Sequence, residues 1–375
     1  MADTDRVVRG EKVTAEDLVD LIAPQSLDDE RELLRCAHER RVESLGPDVH
    51  LRAIIEFSNY CRQDCLYCGL RRSNPAIRRF RLSAQEIIEA ARAANSIHHF
   101  GTFVLQSGED PDYPPDELAR AIEVLSEMGA VTLSVGERTR DEYRLWREAG
   151  ASRFLLRFET SDEGLFRALK PTTTLRKRIS CLYTLRDLGY QIGSGMLLGL
   201  PGQDSMKVAR DLMLLKDLDV EMLSVGPFIP HPGTPLGSHC PGEPAALIRL
   251  TLKVMALGRL LVPSAHIPAT TALATLSKSD KDWFPVLQEV LPSGCRLPDL
   301  GDARSAGLLC GANVIMPDVT PLLYRSAYEI YPGKPGTDGK VLEDTVAGAI
   351  NMISALGMKI AAGKGDSPKE PWRGA

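Results

Sequence analysis

The chain has 375 residues, 43% apolar and 25% charged, the profile of a folded globular protein and not of a disordered, fibrous or membrane one. Its net charge of −5, sequence pI near 5.9 and scattered Lys and Arg disfavour a nucleic-acid partner, which needs a concentrated basic face. No apolar run approaches bilayer length and the opening Met-Ala-Asp-Thr-Asp-Arg is too polar for a signal peptide, so a cytoplasmic protein with no membrane partner is expected.

Residues 1–50 read as a helical leader. Thr14-Ala-Glu-Asp17 resembles a capping box with Asp in place of Glu, and 28–41 carries apolar residues at helical spacing. Short apolar runs then alternate with amphipathic stretches. Strands are expected at 51–57, 101–106, 131–135, 153–158, 191–198, 222–225, 267–271 and 313–316, with helices at 84–96, 115–128, 175–188, 205–218, 245–261 and 303–309. Such alternation specifies parallel βαβ units, and eight of them predict an α/β fold of the (β/α)8 TIM type over 51–362, with a C-terminal helical extension. Residues 276–302 read as an insert and 363–375 as a disordered tail of Gly, Pro and charge.

Eight cysteines occur, at 36, 61, 65, 68, 181, 240, 295 and 310, and only three cluster. The first expected strand runs into Ser58-Asn59, and Cys61-Arg-Gln-Asp-Cys65-Leu-Tyr67-Cys68-Gly69 follows. Three thiolates within eight residues can wrap one cubane [4Fe–4S] cluster and leave its fourth iron open to a small molecule. The alternative is a structural zinc site with four closed ligands, the fourth coming from Cys240, His239 or Cys310.

Other polar groups fall at expected strand ends, where a barrel keeps its active site. Gln106-Ser107-Gly108-Glu109-Asp110 follows the second strand, and Arg157-Phe-Glu159-Thr160 ends the fourth, offering a cation and a carboxylate or merely a surface ion pair. The glycine-rich 193–202 permits a close approach of backbone, and Thr270-Thr271 ends the seventh strand either with hydroxyls in the mouth or simply as strand formers. Cys36 and Cys181 read as core thiols, His98-His99 as solvated or capping, and Cys240 with His239 stays unassigned.

The Cys-x3-Cys-x2-Cys spacing, with Tyr67 before the last cysteine, resembles the radical S-adenosylmethionine (SAM) superfamily. From 58 to 72, at 104–110, 227–232, 267–271 and 310–317, and in Tyr331-Pro-Gly-Lys334, the chain further resembles the HydE family of [FeFe]-hydrogenase maturases, within the biotin synthase-like group. That resemblance implies one cluster on Cys61, Cys65 and Cys68, and SAM held by Tyr67, Ser107, Gly108, Glu109, Glu159 and Arg178. It implies a substrate wall of Arg157, the end of the sixth strand, Thr270, Thr271, Tyr328 and Tyr331. The implied substrate is a small organometallic, a cysteine-bound Fe(CO)2(CN) precursor; the implied partners are the maturases HydF and HydG and a reductant such as ferredoxin or flavodoxin. Many members carry a second cluster after the Tyr-Pro-Gly-Lys element, but no cysteine follows Cys310 here, so one cluster is expected. A methylornithine synthase-like mutase and a non-enzymatic iron–sulfur carrier are the competing readings.

Overall fold

The structure, a computed structural model, describes residues 6–7, 11–279, 288, 301–336 and 339–369. Helices α1 (Ala15–Ile22) and α2 (Leu27–Leu45) form the leader. Thr14 caps α1 through the reciprocal box with Asp17, and Ser26 caps α2. The leader lies against helix α3 (Pro244–Leu261): Arg249 and Lys253 both reach the buried Glu30, and Lys253 also donates to the Ala23 carbonyl at 2.6 Å.

Strands β1 (His50–Leu51), β2 (Ala53–Ser58), β3 (Thr102–Ser107), β4 (Ala130–Ser134), β5 (Ala151–Leu155), β6 (Gln191–Leu198), β7 (Met222–Pro227) and β8 (Val314–Ile315) follow. From β2 to β7 they form one six-stranded parallel sheet in sequential order. Intervening helices, among them Ala84–Ile97, Pro115–Met128, Leu175–Asp187 and Ser205–Asp217, provide the crossovers that parallel pairing requires. Their starts are written locally, as a Ser83–Glu86 capping box and as proline in the first turn at Pro115 and Pro244. Phe57, Phe103, Phe154, Phe158 and Trp146 are fully buried between these layers, each worth about 1.5–3 kcal/mol of transfer free energy.

Beyond the sheet, β8 pairs in parallel with β1. Single bridges link Met222 to His266, Pro268 to Val314 and Ile54 to Asp318. The expected seventh strand, 267–271, is therefore a run of bridges and not a ladder: Pro268 has no N–H to donate, and Thr271 already begins a helix, Thr271–Ser279. That helix takes up the start of the expected insert, most of which lies outside the described residues.

The C-terminal extension is helix α4 (Leu342–Ala355). Residues 363–369 were expected to be part of a disordered tail. Instead they lie across the amino ends of the strands, where Thr102 Oγ1, Arg153 and Arg52 donate to the carbonyls of Lys364 and Gly365. Buried polar side chains supply the anchor that composition does not reveal. Residues 370–375 lie outside the described residues.

Candidate active site

The carboxyl ends of the strands surround a cavity of about 630 Å³. Strand β2 bends at a register shift between Glu56 and Ser58 and delivers the cysteine loop directly behind it. That loop is tied down along its length. Arg62 N donates to Glu109 O (2.8 Å), Leu66 N to Leu169 O (2.9 Å), Gly69 N to Ile330 O (3.0 Å) and Arg72 N to Gln63 O (2.9 Å). Arg71 pairs with Asp64 at 2.7 Å. Cys61, Cys65 and Cys68 all line the cavity, whereas Cys36, Cys181 and Cys310 are buried elsewhere and Cys240 is exposed. Of the fourth ligands a closed zinc shell would need, Cys310 is thus buried elsewhere and Cys240 is exposed.

Gly108 passes beneath this loop so closely that a Cβ there would lie 2.2 Å from Tyr60 O and 2.9 Å from Cys61 Cβ. The loop is thus a tight cradle of three thiols facing one space, which fits a cubane with three protein ligands. Burial pushes the Cys61 thiol up to about 11 and raises Cys68 as well, with the neighbouring Cys65 adding to both, so a metal bound there would have to displace those protons.

Behind the cradle lies a buried ion network. Glu109 takes Arg178 at 3.0 Å and Gln63 Nε2 at 2.5 Å, and Arg62 approaches at 3.4 Å. Burial raises the Glu109 carboxyl, but the charges of Arg178 and Lys170 and the Gln63 bond outweigh it and hold the group below its ordinary value. Glu137, at the end of β4 and 1% exposed, lies 3.0 Å from Arg178 on the other side. Gly136 between them is left-handed (φ 76°), and a Cβ there would strike Glu109 Cγ at 1.8 Å. Lys170 donates to the Tyr67 hydroxyl at 3.2 Å.

Across the cavity, Glu159 holds a left-handed backbone (φ 71°) just past β5, strain of the kind that gathers at functional sites. Its carboxylate pairs with Arg157 at 3.0 Å, and Arg157 also reaches Ser224 Oγ (3.3 Å) and Met196 O (2.5 Å). Thr270 Oγ1 is buried and finds no hydrogen-bond partner among the described residues, while Thr271 Oγ1 and the Tyr331 hydroxyl share a 2.5 Å hydrogen bond. Burial raises the phenols of Tyr328 and Tyr331, keeping both as neutral donors.

All fourteen residues singled out as cluster, SAM or substrate contacts therefore line this one cavity: Cys61, Cys65, Cys68, Tyr67, Ser107, Gly108, Glu109, Glu159, Arg178, Arg157, Thr270, Thr271, Tyr328 and Tyr331. Sequence reasoning missed Glu137 and a second network, in which buried Lys334 bridges Glu56 (2.6 Å) and Asp318 (3.1 Å). Burial raises Glu56 strongly against the pull of Lys334. A carboxylate inside the otherwise apolar Ala53-Ile-Ile-Glu-Phe57 was the available signal.

A cradle of three thiols at a parallel sheet's carboxyl edge, above a network of buried charge, defines the class: this is a radical SAM protein, and the Radical SAM superfamily model matches residues 55–215. The chain is 46% identical over 332 residues to the [FeFe] hydrogenase maturase subunit HydE of Thermotoga maritima, covering 87% of this chain and 86% of that protein. It is 29% identical over 273 residues to a 3-methylornithine synthase of Methanosarcina acetivorans, covering 72% and 76%. The crystal structure of methylornithine synthase (PylB) shares the fold, with a TM-score of 0.76 at 24% identity over 96% of this chain and 97% of that one. The chain belongs to the HydE family and is a radical SAM enzyme, a class whose members use an iron–sulfur cluster and SAM.

Proposed function

We propose that this enzyme acts in [FeFe]-hydrogenase cofactor assembly on a cysteine-bound Fe(CO)2(CN) complex whose sulfur is the atom attacked. One observation carries the reading: the three thiols, the SAM-side charges and the polar far wall share a single cavity. In it Cys61, Cys65 and Cys68 hold one [4Fe–4S] cluster, and Tyr67, Ser107, Gly108, Glu109, Glu159 and Arg178 shape the SAM side. When bound, the pair supplies reductive cleavage of SAM to methionine and a 5′-deoxyadenosyl radical. The bridges and short pairings between β7, β8 and β1 support a closed (β/α)8 barrel around this space.

Arg157 and the Thr270 hydroxyl, with Thr271, Tyr328 and Tyr331, offer a cation and several O–H donors on the far wall. Charge-assisted bonds of that kind suit a compact anionic complex bearing cyanide. Donors placed this way orient the complex, and burial keeps water and stray reductant from it. A reductant such as ferredoxin or flavodoxin supplies the electron, HydG the substrate, and HydF receives the product.

The test is to incubate reduced enzyme and SAM separately with the iron complex and with lysine, and to measure 5′-deoxyadenosine and paramagnetic iron. Cleavage stimulated only by the iron complex, with an adenosyl–sulfur adduct, is expected. Methylornithine formed from lysine, with the iron complex inert, would transfer the enzyme to the mutases.

A further inference from the structure

Basic side chains are spread thinly over most of this acidic chain, but residues 164–186 carry six with no acid among them, and the segment around the cysteine loop is similarly rich. Residues 60–81, which contain the cysteine loop, hold six arginines against a single acid, Asp64, in a protein whose net charge is −5. Two of the six are matched by carboxylates: Arg71 by Asp64 (2.7 Å) and Arg81 by Asp110 (2.6 Å). Arg62 reaches Glu109, already engaged by Arg178. The other three meet no carboxylate in the ion pairs above. Arg78 donates to the Leu323 carbonyl (2.7 Å), Arg79 to the carbonyls of Asn59, Leu70 and Arg71, and Arg72 points outward. Carbonyls anchor a guanidinium without cancelling its charge, so Arg72, Arg78 and Arg79 outnumber Glu86, which accepts from the Tyr324 hydroxyl at 2.8 Å on the short leucine helix. Arg72 and Arg78 are exposed.

The same face carries an apolar feature. Leu322 and Leu323 are 47% and 65% exposed, and their short helix is fastened to the arginine segment. Asn59 ties the two together by donating to both Arg78 O (2.8 Å) and Ala327 O (2.6 Å), and Tyr324 stacks on Phe80 with centroids 5.0 Å apart. A leucine pair fastened through Arg78 to an arginine-rich segment has the make-up of a small protein interface, with an apolar part and a charged margin. It adjoins the cluster cradle: the Arg71 amide bonds to Cys68 O, and Arg72 follows it in the chain.

We infer that Arg72, Arg78, Leu322 and Leu323 form the docking face for an acidic protein carrying a one-electron redox centre. Position selects that occupant over others. A cluster that must be reduced from outside needs its donor at the loop that holds it, and the charge of this loop is opposite to that of an acidic carrier. A small patch of this kind gives the weak, salt-sensitive encounter typical of electron-transfer pairs, in which rim charges set the association rate. The inference needs only the radical SAM reading, because a hydrogenase maturase and a methylornithine synthase-like mutase would draw the electron in the same way.

The test titrates oxidised flavodoxin, as the probe, into the reconstituted protein by calorimetry at low and at high salt. The double substitution Arg72→Glu/Arg78→Glu should weaken binding about tenfold at low ionic strength and flatten its salt dependence. Leu323→Ser should weaken binding while leaving the salt dependence in place. SAM cleavage driven by dithionite, which needs no docking, should be unchanged in all variants, and cleavage driven by reduced flavodoxin should fall. Wild-type affinity and salt dependence in the charge-reversed protein would overturn the assignment, as would a parallel loss of dithionite-driven cleavage. An inert iron complex in the preceding test would leave this face standing, and loss of the face would leave that function standing.

Discussion

The two ends of the strands both bury charge, but they do so differently. At the amino ends, Arg153 is fully buried and donates to Thr102 Oγ1 (2.9 Å), Lys364 O (2.7 Å) and Asp366 Oδ1 (2.7 Å). Arg52 donates to Gly365 O at 3.2 Å, and Gln191 and His266 also reach the same strip of chain. Protein acceptors take up most of the donors at that end, although Arg52 Nε and Arg153 Nε find no partner among the described residues. At the carboxyl ends the charges ring a cavity of about 630 Å³, and the Thr270 hydroxyl that lines it finds no partner among the described residues. One end is closed by its own chain; the other opens on a cavity lined by charge, where a parallel α/β fold places its site.

The largest expected effect lies in the cradle. Replacing Cys61, Cys65 or Cys68 by Ala should abolish both the cubane signal in Mössbauer spectra and 5′-deoxyadenosine formation, since two thiolates cannot hold the cube. The unsubstituted protein should approach about four iron and four sulfide per chain, the content of one cubane. A single-cysteine variant with full signal and activity would sink the ligand assignment.

Next comes the ion network beneath it. Arg178→Met removes the buried cation shared by Glu109 and Glu137 and leaves each with a more exposed partner, Arg62 at 3.4 Å and Lys177 at 3.3 Å. Breaking a buried pair from one side costs about 3–5 kcal/mol. A large fall in melting temperature with loss of SAM binding is expected. Stability within about 0.5 kcal/mol of wild type, the range of ordinary surface changes, would mean that the network is hydrated and contributes little.

The closed end should respond more mildly. Truncation after Ala362 removes acceptors from Arg52, Thr102 and Arg153, but it also admits water to them, so a loss of about 1–3 kcal/mol is expected from the hydrogen bonds given up. Denaturant melts measure it, and dithionite-driven SAM cleavage should survive. If cleavage failed while the fold held, the two ends would be coupled and the contrast between them would fail.

Much of this was legible in the sequence. Helix starts at Ala84, Pro115, Leu175 and Ser205 coincide with the expected ones because caps and prolines are local signals. The cysteine loop stood out because three of the eight cysteines fall within eight residues, a spacing that resembles the radical SAM superfamily's. The seventh strand was misjudged because Ile267 to Thr271 looks β-forming, while Pro268 prevents a ladder. Glu137, Lys334 and the anchoring of 363–369 were hidden because their partners lie far away in the chain. Lys334 meets Glu56 across 278 positions, and Lys364 meets Thr102 across 262, separations at which no local pattern survives.

The smallest effect is also the one that sharpens the contrast most. Asp211, on the helix Ser205–Asp217, is fully buried, and its Oδ1 accepts the Ser161 hydroxyl at 2.6 Å beside the cavity's rim. Burial pushes its carboxyl up to about 7 despite the Ser161 bonds. In the unfolded chain an aspartate titrates near 3.9. Between those values the folded protein binds more protons than the unfolded one, so this group makes stability decline as pH rises from about 4 towards 7, and level off above. Asparagine keeps an acceptor for Ser161 and does not titrate. The stability of Asp211→Asn relative to wild type should therefore improve as pH is raised from about 5 to about 7.5, on the order of 1 kcal/mol per pH unit at most. Thermal melts of both proteins across that range measure the slope. A difference that stays flat would mean that Asp211 is ionised throughout and that this rim holds no frustrated charge.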